Sequence, residues 1–150
     1  MTEDVQRVIA GTAGSDMFLR QPDSGTSLSG KAGDDIYNLG SGQSVVEGRY
    51  CGVDTVITAT ATTLPDNVEN LRLTAAVAGT GNAQDNIITG SGGADTIDGG
   101  AGNDILTGGA GADRFIVTAG NGSDRITDFD PAADTLEIRG TWFASMEQMM

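Results

Sequence analysis

Two nine-residue units stand back to back in this chain: Gly99-Gly100-Ala101-Gly102-Asn103-Asp104-Ile105-Leu106-Thr107 and Gly108-Gly109-Ala110-Gly111-Ala112-Asp113-Arg114-Phe115-Ile116. Both read Gly-Gly-x-Gly-x-Asp-x-apolar-x. Glycine tolerates positive φ and close backbone approach, so the first six residues of each unit can turn tightly with several carbonyl oxygens on one side. The last three make a short strand whose side chains alternate faces, which points Leu106 and Phe115 inward. Two units then make one coil of eighteen residues. The fold class this predicts is all-β, a parallel β-roll or β-solenoid, and apolar stripes of helical period are absent from the repeats.

Stacked coils lie about 4.8 Å apart, so an Asp in one coil sits over the Asp eighteen positions later, at a spacing that suits a shared ion. Calcium takes six to eight hard oxygens at roughly 2.3–2.6 Å, which two loops of carbonyls and two carboxylates can supply. The numbering keeps this register. Asp95 and Asp113 differ by eighteen and share one edge; Asn86 and Asp104 also differ by eighteen and share the other, Asn86 being the sixth residue of a degenerate repeat that starts at Gly81. Asp124 follows Asp104 by twenty, and a two-residue insertion after Phe115-Ile116-Val117 reconciles it with that second edge.

With these motifs in place, the segment from Gly79 to Ile138 resembles the hemolysin-type (RTX) calcium-binding β-roll, a module of bacterial proteins exported by type I secretion. The resemblance implies calcium ions in the turns. The candidate ligands are Asn86, Asp95, Asp104, Asp113 and Asp124 with the turn glycines Gly93, Gly99, Gly102, Gly108 and Gly111. The stretch Asp124-Arg125-Ile126-Thr127-Asp128-Phe129 through Asp134-Thr135-Leu136 is similar to the family's end of the roll, and implies further ligands at Asp128 and Asp134. Residues 11–73 resemble the family more loosely. Asp16, Asp35 and Asp54 recur every nineteen residues there, but the opposite edge offers Ser27 and Ser44, whose hydroxyls are weak calcium ligands. Few ions are expected in this half, with a candidate site near Asp35, Glu47 and Asp54. The chain therefore divides into residues 1–78, a degenerate block with an N-terminal cap and a connector at 64–73 ending in a strand, and residues 79–150, the calcium-binding block with a C-terminal cap.

Composition sharpens this reading. The net charge is −13, with ten acids against five bases in residues 1–78 and eleven against three in residues 79–150. Such a chain repels nucleic acid and attracts divalent cations. A disordered acidic linker would not return an apolar residue after each Asp at fixed spacing. Cys51 is alone, so no internal disulfide forms, and metal is the staple left to a secreted protein with a thin core. The acidic start lacks the features of a signal peptide. The ending at Ser145-Met146-Glu147-Gln148-Met149-Met150 suggests a fragment whose C-terminal export signal is missing. Apolar residues at Trp142, Met146 and Met149 fit a helical cap on the solenoid end, with Val5, Val8 and Ile9 at the other. No run reaches membrane-spanning length.

Catalysis is set aside: histidine is absent, the carboxylates are spaced by the repeat, Tyr37 reads as core, and the glycines form neither a dinucleotide fingerprint nor an EF-hand. The expected function is a non-catalytic calcium-binding roll of a secreted, extracellular bacterial protein. Its partners would be calcium ions and the enzyme or adhesin domains of the same polypeptide. The alternative is a carbohydrate-binding module of a polysaccharide-active enzyme, reading a glycan through side chains such as Thr107, Arg114 and Arg125.

Overall fold

A computed structural model of the protein describes residues 8–20, 25–49 and 51–140. The described residues form parallel strands only, wound as a solenoid in which each coil adds one strand to each face. One face is a seven-stranded sheet of β2 (Met17–Phe18), β4 (Ile36–Leu39), β6 (Thr55–Thr58), β8 (Asn70–Leu73), β10 (Ile87–Thr89), β12 (Ile105–Thr107) and β14 (Arg125–Ile126). The other face is split. Strands β1 (Val8–Ala10), β3 (Ser27–Ser29) and β5 (Ser44–Val45) make one sheet. Strands β7 (Thr62–Thr63), β9 (Ala78–Thr80), β11 (Thr96–Asp98), β13 (Arg114–Thr118) and β15 (Thr135–Arg139) make the second.

Alternation of side chains builds the core. Register on the seven-stranded face places Phe18, Tyr37, Val56, Leu71, Ile88, Leu106 and Ile126 in a single inward column. All but Ile126 are buried. Phe18 and Tyr37 stack with ring centroids 4.9 Å apart. The facing column runs through Gly79, Ile97, Phe115 and Leu136. Gly79 is the small member because Leu71 and Leu73 reach across: a Cβ there would lie 2.9 Å from Leu71 Cδ2.

The pitch varies where the sequence departs from the repeat. Partners lie nineteen residues apart from β2 to β6, fifteen from β6 to β8, seventeen from β8 to β10, eighteen from β10 to β12 and twenty from β12 to β14. The fifteen-residue coil contains the segment Leu64-Pro65-Asp66-Asn67-Val68, the turn from β7 into β8, which buries Leu64 and Val68. The seven-stranded sheet runs on from β8 to β10, on either side of residue 78, without interruption, so the repeat quality changes inside one continuous sheet. Val8 is exposed and Ile9 packs on the core; Val5 and the proposed cap at 142–149 lie outside the described residues.

Candidate metal centre

The turns that lead into the seven-stranded sheet form one edge of the roll. Asp16, Asp35, Asp54, Glu69, Asn86, Asp104 and Asp124 each stand immediately before a strand of that sheet, one per coil. A hydrogen-bond ladder joins them. The backbone N–H of Asp16 donates to Asp35 Oδ1 at 2.7 Å, Asp35 to Asp54 Oδ1 at 2.9 Å, and Asp54 to Glu69 Oε2 at 2.9 Å. Beyond the connector, Asn86 N–H donates to Asp104 Oδ1 at 2.8 Å and Asp104 N–H to Asp124 Oδ1 at 3.1 Å. On the opposite edge Val77, Asp95 and Asp113 donate in the same way to Asp95, Asp113 and Asp134, each at 2.9 Å. Asp128 closes that edge by accepting from Gly108 and Gly109, both at 2.8 Å. Among the described residues the N-terminal half shows no carboxylate ladder on this side, and Ser27 and Ser44, the first residues of β3 and β5, pair there at 3.1 Å.

Asp35, Asp54, Asp95, Asp104 and Asp113 thus each spend Oδ1 on the preceding coil, and the fate of Oδ2 decides the chemistry. In Asp16 it accepts from Thr12 N–H and Oγ1, and in Asp95 from Ser91 N–H and Oγ. In Asp35, Asp54, Asp104 and Asp113 it is buried and has no hydrogen-bond partner. A buried anion without a partner is costly. Burial accordingly pushes the carboxyls of Asp54 and Asp104 up to about 6, against a backbone hydrogen bond that lowers each, with Glu47 and Asp124 the leading neighbouring charges that raise them. Asp35 and Asp113 are raised by the same burial. Among the described residues the ion pairs are Arg114–Glu137 and Arg139–Glu137, on the surface and away from these oxygens.

Glycine makes room for this geometry. A Cβ on Gly99 would overlap the Asp104 carboxylate, and one on Gly108 the Asp113 carboxylate, so the acid folds back over the first residue of its own repeat. Gly102 and Gly111, at φ of 111° and 116°, lie flat on the coil before, where a Cβ would come within 2.6 Å of Gln84 O and 2.7 Å of Gly93 C. Among the described residues no three acidic or thiol side chains gather as an all-side-chain metal cage requires. The donor set is instead carboxylate plus close-packed turn carbonyls, which fits a hard cation of high coordination number.

Three polar groups at this edge escape the repeat pattern. Glu69 holds a ladder position without any glycine framework; the one signal for it is its place just before a strand, as with each Asp. Glu47 turns inward, where Tyr37 Oη donates to its Oε1 and Gly30 N–H donates to Oε1 at 2.7 Å; its Oε2 is buried without a partner. Burial, and then the Glu47 carboxylate, push the Tyr37 phenol well above its usual value. Asn86 keeps the register but not the pattern, since its amide nitrogen faces the carbonyls of Val68 and Glu69.

The sequence matches the RTX calcium-binding nonapeptide repeat family in four copies, over residues 27–46 and 80–115. Two similar proteins of Rhizobium meliloti (strain 1021) are known. Endo-1,3-1,4-beta-glycanase EglC is 43% identical over 145 residues, covering 95% of this chain and 31% of its own length. Endo-1,3-1,4-beta-glycanase ExsH is 46% identical over 142 residues, covering 93% and 30%. The chain thus spans less than a third of the length of the curated relatives it matches. No solved structure matches it. The chain carries RTX calcium-binding nonapeptide repeats, and they are wound as a parallel β-roll.

Proposed function

We propose that this chain is a non-catalytic calcium-binding roll of a secreted bacterial protein, which folds on calcium outside the cell and stabilises or assists a larger glycanase-like polypeptide. The observation that carries the reading is the set of buried carboxylate oxygens in Asp35, Asp54, Asp104 and Asp113 that face neither a donor nor a basic side chain. Calcium supplies the positive charge they lack, and Asp95, Asp124, Asp128, Asp134 and the carbonyls of Gly93, Gly99, Gly102, Gly108 and Gly111 lie in the same turns to complete its shell. Because no such site exists in an unfolded chain, affinity for the ion becomes folding free energy. In the low calcium of a cytoplasm the acidic turns repel and the chain stays open for export. Among the described residues no helix is long and apolar enough to cross a membrane.

The test is a calcium titration of the chain followed by far-UV circular dichroism, with magnesium as control. A large gain of β-sheet signal with calcium, and none with magnesium, supports the reading; a spectrum in excess chelator as β-rich as that with calcium overturns it. Magnesium prefers a near-octahedral shell at about 2.0–2.1 Å and releases water reluctantly, which carbonyl-rich turns do not suit.

The glycanase relatives favour a second reading, in which the roll also holds a polysaccharide. The outer surfaces present polar side chains in rows, with Thr107 and Thr127 hydroxyls 2.7 Å apart on the seven-stranded face and Arg125 beside Ile105. A glycan array probed with and without calcium separates the two.

A further inference from the structure

Between the coil that carries Glu69 and the coil that carries Asn86, amide groups fill the place that carboxylates hold elsewhere. Asn82 Nδ2 donates to Pro65 O and Val68 O, both at 2.8 Å. Asn86 Nδ2 donates to Val68 O and Glu69 O, both at 3.2 Å. Four N–H···O contacts therefore converge on three carbonyls of the connector. The amide orientations are fixed by their partners: each nitrogen meets carbonyl oxygens, which only accept, and each side-chain oxygen meets a backbone N–H, Asn82 Oδ1 from Gln84 at 2.9 Å and Asn86 Oδ1 from Asn82 at 2.8 Å.

Asn86 otherwise has the build of a repeat aspartate. It is 1% exposed, its backbone N–H donates to the next carboxylate of the file, and a Cβ on Gly81 would overlap its Oδ1 just as one on Gly99 would overlap Asp104. The single difference is that the atom turned toward the preceding coil is a donor. Carbonyl lone pairs that accept from an amide are not free to coordinate a cation. We propose that Asn82 and Asn86 set the boundary of the calcium row, closing this one step to ions and joining the two halves by a staple that needs no metal. This rests on the calcium reading for the neighbouring steps, but the staple itself does not.

Hydrogen–deuterium exchange on the chain in excess chelator, together with calcium counting by equilibrium dialysis, tests it. In the unaltered chain, the amides of residues 82 and 84, which donate to the two asparagine side chains, should stay protected in chelator. Asn86→Asp places a carboxylate against carbonyls; it should lose that protection in chelator, recover it in calcium, and bind one more ion per chain. Asn82→Ala removes two donors and adds no charge, so it should lose protection with no gain in ions, and it decides the matter should Asn86→Asp fail to fold. Loss of protection in the unaltered chain, or an Asn86→Asp chain with the same ion count and the same exchange as the parent, overturns the proposal. If the unaltered chain binds no calcium at all, the calcium reading fails, and exchange in chelator still decides whether the staple exists.

Discussion

The two halves of the roll share a sheet yet balance their charge differently. From β10 onward both edges carry a carboxylate file, whereas before β6 the described residues place a file along one edge only, with Ser27 and Ser44 in contact at the start of β3 and β5 on the other side. The N-terminal half also buries a stacked Phe18–Tyr37 pair, while in the C-terminal half buried Phe115 meets only the exposed Phe129, tilted at 6.1 Å, and the other core positions are Ile and Leu. A coil with carboxylates at both turns gains the most from cations and loses the most without them. A coil with hydroxyls at one turn and aromatic rings inside can hold itself together with less help.

Chelation should expose this difference most. In excess chelator, hydrogen exchange over residues 99–116 should be at least about a hundredfold faster than with calcium, while residues 28–39 retain much of their protection. Equal response in both halves would mean the hydroxyl edge contributes nothing of its own. Strong protection of residues 99–116 in chelator would show a roll formed ahead of its metal.

Next in size comes the contrast between Asp104→Ala and Asp16→Ala. Asp104 is fully buried between the Asn86 and Asp124 coils and has an unpartnered oxygen; Asp16 ends the file, and Thr12 already satisfies its second oxygen. A site held at a hundredfold over its dissociation constant contributes about 2.7 kcal/mol, so if Asp104 serves two steps its loss approaches about 5 kcal/mol. Asp16→Ala should cost a fraction of that. Thermal melts at saturating calcium give the comparison directly.

Substitutions at glycine sharpen it further. Gly99→Ala drives a methyl into the Asp104 carboxylate and should cost about 2–3 kcal/mol, as overpacking does, but only when calcium is present to hold that carboxylate in place. Gly30→Ala meets both Asp35 and the Tyr37 hydroxyl, the latter at 2.6 Å, so its loss should persist in chelator. Gly92→Ala meets nothing within 4 Å and should stay within about 0.5 kcal/mol of the parent.

The smallest effect is that of pH, and its sign depends on the metal. Asp54 and Asp104 titrate near 6 in the fold, above the ordinary carboxylate range, so the folded chain holds more protons than the unfolded one between about pH 4 and 6. Without calcium, melting temperature should therefore rise as pH falls from 7 through 6 toward 4.5. With calcium it should fall over the same interval, because the ligands must be ionised to bind. Melts at pH 7.5 and 5 in both conditions check the crossing.

The eighteen-residue spacing made most of this architecture legible in the sequence. It placed Leu106 and Phe115 in the core, Asp95 over Asp113, and Asp124 in the Asp104 file, where Arg125 pairs with Ile105 across the twenty-residue coil. The alternation of Leu71 and Leu73 in the connector marked a strand there, which is β8, with both leucines buried. Glu69 was not legible as a rung, because no glycine turn precedes it and its longer side chain reaches the same N–H from a different backbone. Nor was the donor role of Asn86, since an aspartate and an asparagine at one repeat position differ only in which way the second atom bonds, and that depends on the carbonyls of a connector seventeen residues upstream. The buried Glu47–Tyr37 contact joins two positions of unrelated repeat phase, and no spacing rule links them.

The ladder also has a direction. In each rung the earlier coil gives the N–H and the later coil gives the carboxylate oxygen. A coil added at the C-terminal end brings acceptors to waiting donors, whereas a coil removed from the N-terminal end leaves acceptors that water readily satisfies. In the language of filaments the roll has unlike plus and minus ends, and shortening it coil by coil should be tolerated from the N-terminal side well before it is tolerated from the other.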